Sequence, residues 1–95
     1  MSTGRSMNFY MTCRISADMD KDAEFGFEVA DSIHRFTVND WGCLCSDDCA
    51  LNETAMKNGG RVMGAYLTKL GKIWIINDDA LAEEMTITVL YPNEY

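Results

Sequence analysis

The stretch Arg61 to Asn77, RVMGAYLTKLGKIWIIN, decides the fold. Arg61 to Thr68 and Lys72 to Asn77 read as two strands, and Lys69-Leu70-Gly71 between them has the length of a hairpin loop. The second strand, KIWIIN, is nearly all apolar, so it is expected at the centre of a sheet with Trp74 in the core. After it, Asp78 to Glu84 reads as a charged loop and Met85 to Tyr91 (MTITVLY) as a further strand, which Pro92 ends.

Upstream of the hairpin the period changes from two to that of a helix. Ser46 is expected to cap a helix with Asp47 and Asp48 in its first turn, where the helix dipole favours negative charge. Asn58-Gly59-Gly60 stops that helix. A longer helix is predicted over 22–37, because Phe25, Val29, Ile33 and Phe36 recur at helical spacing. Gly26 weakens its first turn, and Asn39 to Gly42 breaks it. Asp18 to Asp22 reads as a charged connection. Asn8 to Ala17 alternates, with Phe9, Met11, Cys13 and Ile15 on one side and Tyr10, Thr12, Arg14 and Ser16 on the other, as in a half-buried strand. Residues 1–7 are expected as a flexible N-terminus and 8–95 as a single α+β domain. The element order is β-α-α-β-β-β, a mainly antiparallel four-stranded sheet with two helices packed on one face.

Fifteen Asp and Glu stand against eight Lys and Arg in 95 residues, a formal net charge of −7. A field of that sign repels nucleic acid and anionic membranes and attracts basic surfaces. Direct nucleic-acid binding is therefore disfavoured, while binding to a protein that itself holds DNA or RNA is favoured. Acidity also serves solubility alone. The charge is segregated: residues 18–53 hold ten acids against Lys21 and Arg35, residues 57–72 hold four bases and no acid, and residues 78–94 hold five acids and no base. No apolar run looks like a signal peptide or approaches the ~20 residues of a membrane span, so a cytoplasmic location with reduced thiols is expected.

Cys43-x-Cys45-x3-Cys49 invites a zinc reading, with Cys13 or His34 as fourth ligand. Structural zinc sites favour C-x2–4-C pairs, and a second pair is missing, so buried or half-buried thiols without metal or cofactor are expected. His34, the single histidine, shares a helix edge with Phe27 and Ala30 and has no fixed nucleophile or acid beside it; it is expected as a partly buried helix residue. Gly59-Gly60 lacks the spacing and the Lys-Ser/Thr of a phosphate loop. No catalytic residue is expected. Trp41, in the turn between the helices, is expected to pack them together rather than stand as an exposed anchor.

The acids form the candidate site. Glu24, Glu28 and Asp31 lie about one helical turn apart (~5–6 Å), a spacing that engages rows of arginine. Asp40, Asp47, Asp48 and Glu53 extend this row, and Asp78, Asp79, Glu83 and Glu84 form a second. B-DNA presents a charge every ~1.7 Å of axis, and its partners meet it with rows of Lys and Arg.

From Asp40 onward the chain resembles a family of small proteins of bacterial plasmids, phages and other mobile elements. The residues that carry the likeness are Asp40-Trp41-Gly42-Cys43-Leu44-Cys45, Asn52-Glu53-Thr54-Ala55-Met56, Arg61-Val62-Met63-Gly64-Ala65-Tyr66, Lys72-Ile73-Trp74-Ile75-Ile76 and Thr88-Val89-Leu90-Tyr91-Pro92-Asn93-Glu94-Tyr95. The loop from Asn77 to Glu84 departs from the pattern in being longer and more acidic. The resemblance implies residence on a mobile element. By analogy it implies an anti-CRISPR or anti-restriction inhibitor that occupies the DNA channel of a host defence complex, either a CRISPR effector or a restriction enzyme. The chain itself is expected as a monomer. The alternative expectation is a small adaptor that binds a protein partner through the hairpin or Trp41.

Overall fold

A computed structural model of the chain describes residues 6–95. In chain order its elements are β1 (Ser6–Met11), α1 (Cys13–Lys21), α2 (Ala23–Thr37), α3 (Ser46–Asn58), β2 (Val62–Thr68), β3 (Gly71–Asn77), β4 (Glu84–Leu90) and a closing 3-10 turn, Pro92–Glu94. The four strands form one sheet in the order β1-β4-β3-β2. The hairpin β2-β3 and the pair β3-β4 are antiparallel, with Ala65 opposite Trp74 and Ile75 opposite Val89. β1 lies parallel to β4, with Phe9 opposite Ile87. The class is thus α+β, as expected, but the sheet is mixed and there are three helices rather than two.

The third helix, α1, occupies residues where the alternation predicts a strand to Ala17 and where Asp18 to Asp22 reads as a connection. β1 stops at Met11, and Thr12 caps α1 by accepting the N–H of Ile15 at 3.3 Å. Ile15 is fully buried, whereas Cys13 is exposed. The alternation of apolar residues at 11, 13 and 15 therefore masks a helical stripe of Met11, Ile15 and Met19, all packed on the core. A single residue, Asp22, separates α1 from α2. Its N–H closes the end of α1 on Asp18 O, while its carboxylate accepts from Glu24 N and Phe25 N at 3.0 and 3.2 Å. Residues 1–5 of the expected flexible N-terminus lie outside the described residues, and Ser6 and Met7 belong to β1.

One apolar layer joins the helices to the sheet. Phe25, Val29 and Phe36 of α2 and Ile15 of α1 pack on Val62, Tyr66, Ile73, Ile75, Ile87 and Val89. β3 is central, as its sequence implies, but Trp74 is not in this layer. Side chains alternate across a strand, so Ile73 and Ile75 on the helix face send Trp74 to the other face. There it meets the ring of Tyr95 edge-on at 5.6 Å. No helix among the described residues is long and apolar enough to cross a membrane.

Candidate functional site

The site is built from acids whose surroundings differ sharply. Of the eleven candidates, ten are exposed and Glu28 is half-buried. The hairpin turn draws the start of the α2 row inward. Lys69 Nζ lies 3.0 Å from Asp22 and 3.1 Å from Glu24, and the Lys69 main-chain N–H donates to Glu28 Oε1 at 2.9 Å. The hydrogen bond from Lys69, then that from Phe25 N, holds the Asp22 carboxyl below its ordinary value of 3.8. Asp22, then Glu24, raises Lys69. Glu24 and Glu28 thus fasten α2 to the tip of β2-β3, Glu24 through the Lys69 ammonium and Glu28 through the Lys69 main-chain N–H, whereas Asp31 is in no ion pair among the described residues. Asp31 still lies close enough to raise Arg35 electrostatically.

Asp40 is also spoken for. Both its oxygens accept from Arg35, at 2.8 and 3.3 Å, and Oδ1 accepts from Gly42 N at 3.1 Å. Arg35, then Gly42 N, lowers its pKa. This pair belongs to a structural knot. Trp41 is buried rather than an exposed anchor, and its ring stands edge-on to Phe36 of α2 at 5.5 Å. Ala65 N donates to Trp41 O and Cys43 N donates to Ala65 O, which lays the segment along the outer edge of β2. Gly42 has φ +74°, and a Cβ there would sit 1.9 Å from Ala65 O, so only glycine fits. Tyr66 donates its hydroxyl to Asp40 O at 2.8 Å, and burial, then the charge of Asp40, raises its pKa. The Asp40-Trp41-Gly42 and Ala65-Tyr66 motifs are therefore contacts of one another.

The remaining acids stand differently. α3 begins at Ser46, not after it: Cys45 is the capping position, without a side-chain cap bond, so Ser46 does not have the expected role. Asp47 and Asp48 do fall in the first turn, and Asp48 accepts from Cys45 Sγ at 3.4 Å. Asp79 is a turn residue that accepts from Gly60 N and Leu81 N, tying the β3-β4 loop to the end of α3. Glu84 accepts from Asn8 Nδ2 at 3.5 Å. Asp47, Glu53, Asp78 and Glu83 are exposed, and among the described residues no ion pair joins them to a base.

The groups considered for catalysis or metal binding are dispersed. Cys13, Cys43 and Cys45 are exposed and only Cys49 is half-buried, so three of the thiols are more open than expected. Among the described residues no three His, Cys, Asp or Glu gather as metal ligands. His34 is exposed, as are Phe27 and Ala30, because Phe25, Val29, Ser32 and Phe36 take the buried face of α2. A cavity of about 150 Å3 lies among Met7, Trp41, Met56 and Met85 with Thr37, Asn39 and Asn77 on its polar side, and no titratable side chain lines it.

Two arrangements escaped the sequence reading. Asn52 of α3 is buried and bonds both main-chain groups of Met63: its Nδ2 donates to the carbonyl at 2.7 Å and its Oδ1 accepts the N–H at 3.1 Å. Its place in Asn52-Glu53-Thr54-Ala55-Met56 was visible, its partner was not. At the other end Tyr91 donates its hydroxyl to Asp18, Arg14 lies 4.9 Å over the Tyr91 ring, and Glu94 accepts from Thr12 and Tyr91 N. Burial, then Asp18, pushes Tyr91 up to about 12. Comparison with protein-family models, curated proteins and solved structures finds no match.

Proposed function

We propose that this chain is a stoichiometric, non-catalytic inhibitor of a bacterial defence complex that handles DNA, of the anti-CRISPR or anti-restriction kind. Its acidic surface stands in for nucleic-acid phosphates and enters the Lys/Arg channel of the target. The observation that carries this reading is a set of exposed acids that, among the described residues, make no ion pair, Asp47, Glu53, Asp78 and Glu83, in a chain of net charge −7. Asp31 and Asp48 lie in the same surface class, being exposed and free of ion pairs among the described residues. Glu24, Glu28, Asp40 and Asp79 serve chiefly to hold the fold, so the working surface is narrower than the sequence row. Unpaired carboxylates retain their full charge for a guanidinium of the target, whereas paired ones must first give up a bond. The resemblance to mobile-element proteins supports the same reading.

The test is capture of DNA-binding defence complexes by the tagged protein, washed at low and high salt. Binding is expected to weaken with salt and to be displaced by DNA, since exposed charge pairs are screened. Glu53→Lys, Asp78→Lys and Glu83→Lys together are expected to abolish capture while the circular dichroism stays unchanged. Retained inhibition by that variant refutes the mimic. A second reading, the adaptor, is favoured by the hairpin, where Leu67 is 71% and Leu70 45% exposed. Loss of a partner through Leu67→Ser and Leu70→Ser, without loss through charge reversal, identifies that case.

A further inference from the structure

The two edges of the sheet are treated in opposite ways. On β2 the outward main-chain groups of Met63 are taken by Asn52 and those of Ala65 by Trp41 and Cys43. On β1, Ser6 N donates to Glu83 O at 3.0 Å and Thr12 N to Val89 O at 3.1 Å. In a parallel pair alternate residues bond inward, so the inward set continues through Asn8 and Tyr10. The main-chain groups of Met7, Phe9 and Met11 therefore point away from the sheet, and among the described residues β1 pairs only with β4.

An open edge is normally guarded by a charge, a proline or a bulge. Ser6 to Thr12 carries no charge and no proline in a chain that is 24% charged. Besides Ser6, its exposed side chains are large and apolar: Met7 at 44%, Phe9 at 39% and Tyr10 at 56%. The outward residues also read the same in both directions, Met7-x-Phe9-x-Met11. Such an edge complements itself under a two-fold axis.

We propose that β1 pairs antiparallel with β1 of a second copy of this chain, about a two-fold axis at Phe9. Phe9 then faces Phe9 of the second copy, and Met7 faces its Met11. The outward residues sit in hydrogen-bonded pairs, giving about six main-chain bonds across the seam. On the helix face the side chains of Met7, Phe9 and Met11 continue the layer of Met85, Ile87 and Val89 that lies opposite them in register. The seam is an uncharged stretch of a strongly acidic molecule, so the strands of two copies meet there without placing like charges opposite one another. A seam of five residues falls short of the ~1,200–2,000 Å2 of a stable interface, so the dimer dissociates on dilution. Each copy carries −7, so salt strengthens the dimer by screening repulsion. Salt weakens the proposed capture of a basic target, which separates the two proposals experimentally.

The test is sedimentation equilibrium of the full chain over a wide concentration range, at ~0.05 and ~0.5 M salt, where the Debye length falls from above to below ~10 Å. The weight-average mass is expected to climb from 10.7 kDa toward twice that value, more readily at the higher salt. Phe9→Lys, which sets two like charges across the axis, is expected to hold the mass at 10.7 kDa. Amide exchange on the unaltered chain decides the matter should that variant fail to fold. At high concentration Met7, Phe9 and Met11 are expected to exchange as slowly as Asn8 and Tyr10. A mass fixed at 10.7 kDa at every concentration overturns the proposal. So does a rise in mass that leaves Met7 and Phe9 exchanging fast, because the contact then lies elsewhere.

Discussion

Replacing Asn52 by alanine tests whether hydrogen bonds, rather than apolar packing, hold α3 to the sheet. The helix buries only Asn52 and Ala55, so its apolar grip is slight. Asn52→Ala removes two hydrogen bonds, each worth ~1 kcal/mol net, and leaves the N–H and C=O of Met63 half-buried without partners, a further ~1–2 kcal/mol. The expected loss is thus about 3 kcal/mol, a large share of the ~5–14 kcal/mol available to a domain of this length. With ~1–3 kcal/mol per M for urea, the unfolding midpoint drops by about 1–3 M. Circular dichroism across a urea series measures it, and Glu53→Ala, at the exposed next position, is the control expected to stay within ~0.5 kcal/mol. Asn52→Asp sharpens the test. An ionised carboxylate accepts the Met63 N–H but has no proton to donate to its carbonyl, whereas the protonated acid does both. Its folded pKa is therefore raised above the unfolded ~3.9, and the stability it restores is present below that value and lost as pH rises through the folded pKa. A midpoint shift below about 0.3 M for Asn52→Ala refutes the reasoning.

Gly42→Ala is expected to cost ~3 kcal/mol or more, combining a left-handed backbone with a Cβ 1.9 Å from Ala65 O, whereas Gly71→Ala, at φ +108° in open space, costs ~1 kcal/mol of backbone strain alone. Urea midpoints of the two variants, side by side, separate the clash from the strain. Lys69→Met is expected to flatten the stability profile at both ends of the pH range. The lowered Asp22 contributes stability that is present above 3.8 and lost as pH falls through its folded pKa, and the raised Lys69 contributes stability that is present below 10.5 and lost as pH rises through its own. Unfolding midpoints taken on either side of those two values check it, and a variant with the unaltered profile shows the cluster to be idle.

What the sequence discloses follows from the range over which each signal acts. The hairpin and α2 rest on local period and turn chemistry, so their bounds from the text and from the fold nearly coincide. α1 was lost because Met11, Cys13 and Ile15 satisfy a strand period while Met11, Ile15 and Met19 satisfy a helical one. The deciding signal was Thr12 as a cap, weaker than the alternation around it. Trp74 was misplaced because an apolar run names no face; the face follows from which neighbours already touch the helices. The acids are the extreme case. Net charge is a sum over composition and is read without error, but the fate of each carboxylate depends on a base far along the chain. Lys69 stands 41 residues from Glu28 and 45 from Glu24, and nothing near either acid names it. The same distance makes Glu24 and Glu28 poor candidates for binding a target, since a carboxylate already fastened to the hairpin loses a native bond for each one it offers outward. Among the described residues Glu53, Asp78 and Glu83 are in no ion pair and face no such exchange, unlike Asp79, which is bonded to Gly60 N and Leu81 N. If the molecule acts through its charge, Glu53, Asp78 and Glu83 are where reversal of sign should cost binding without cost to the fold.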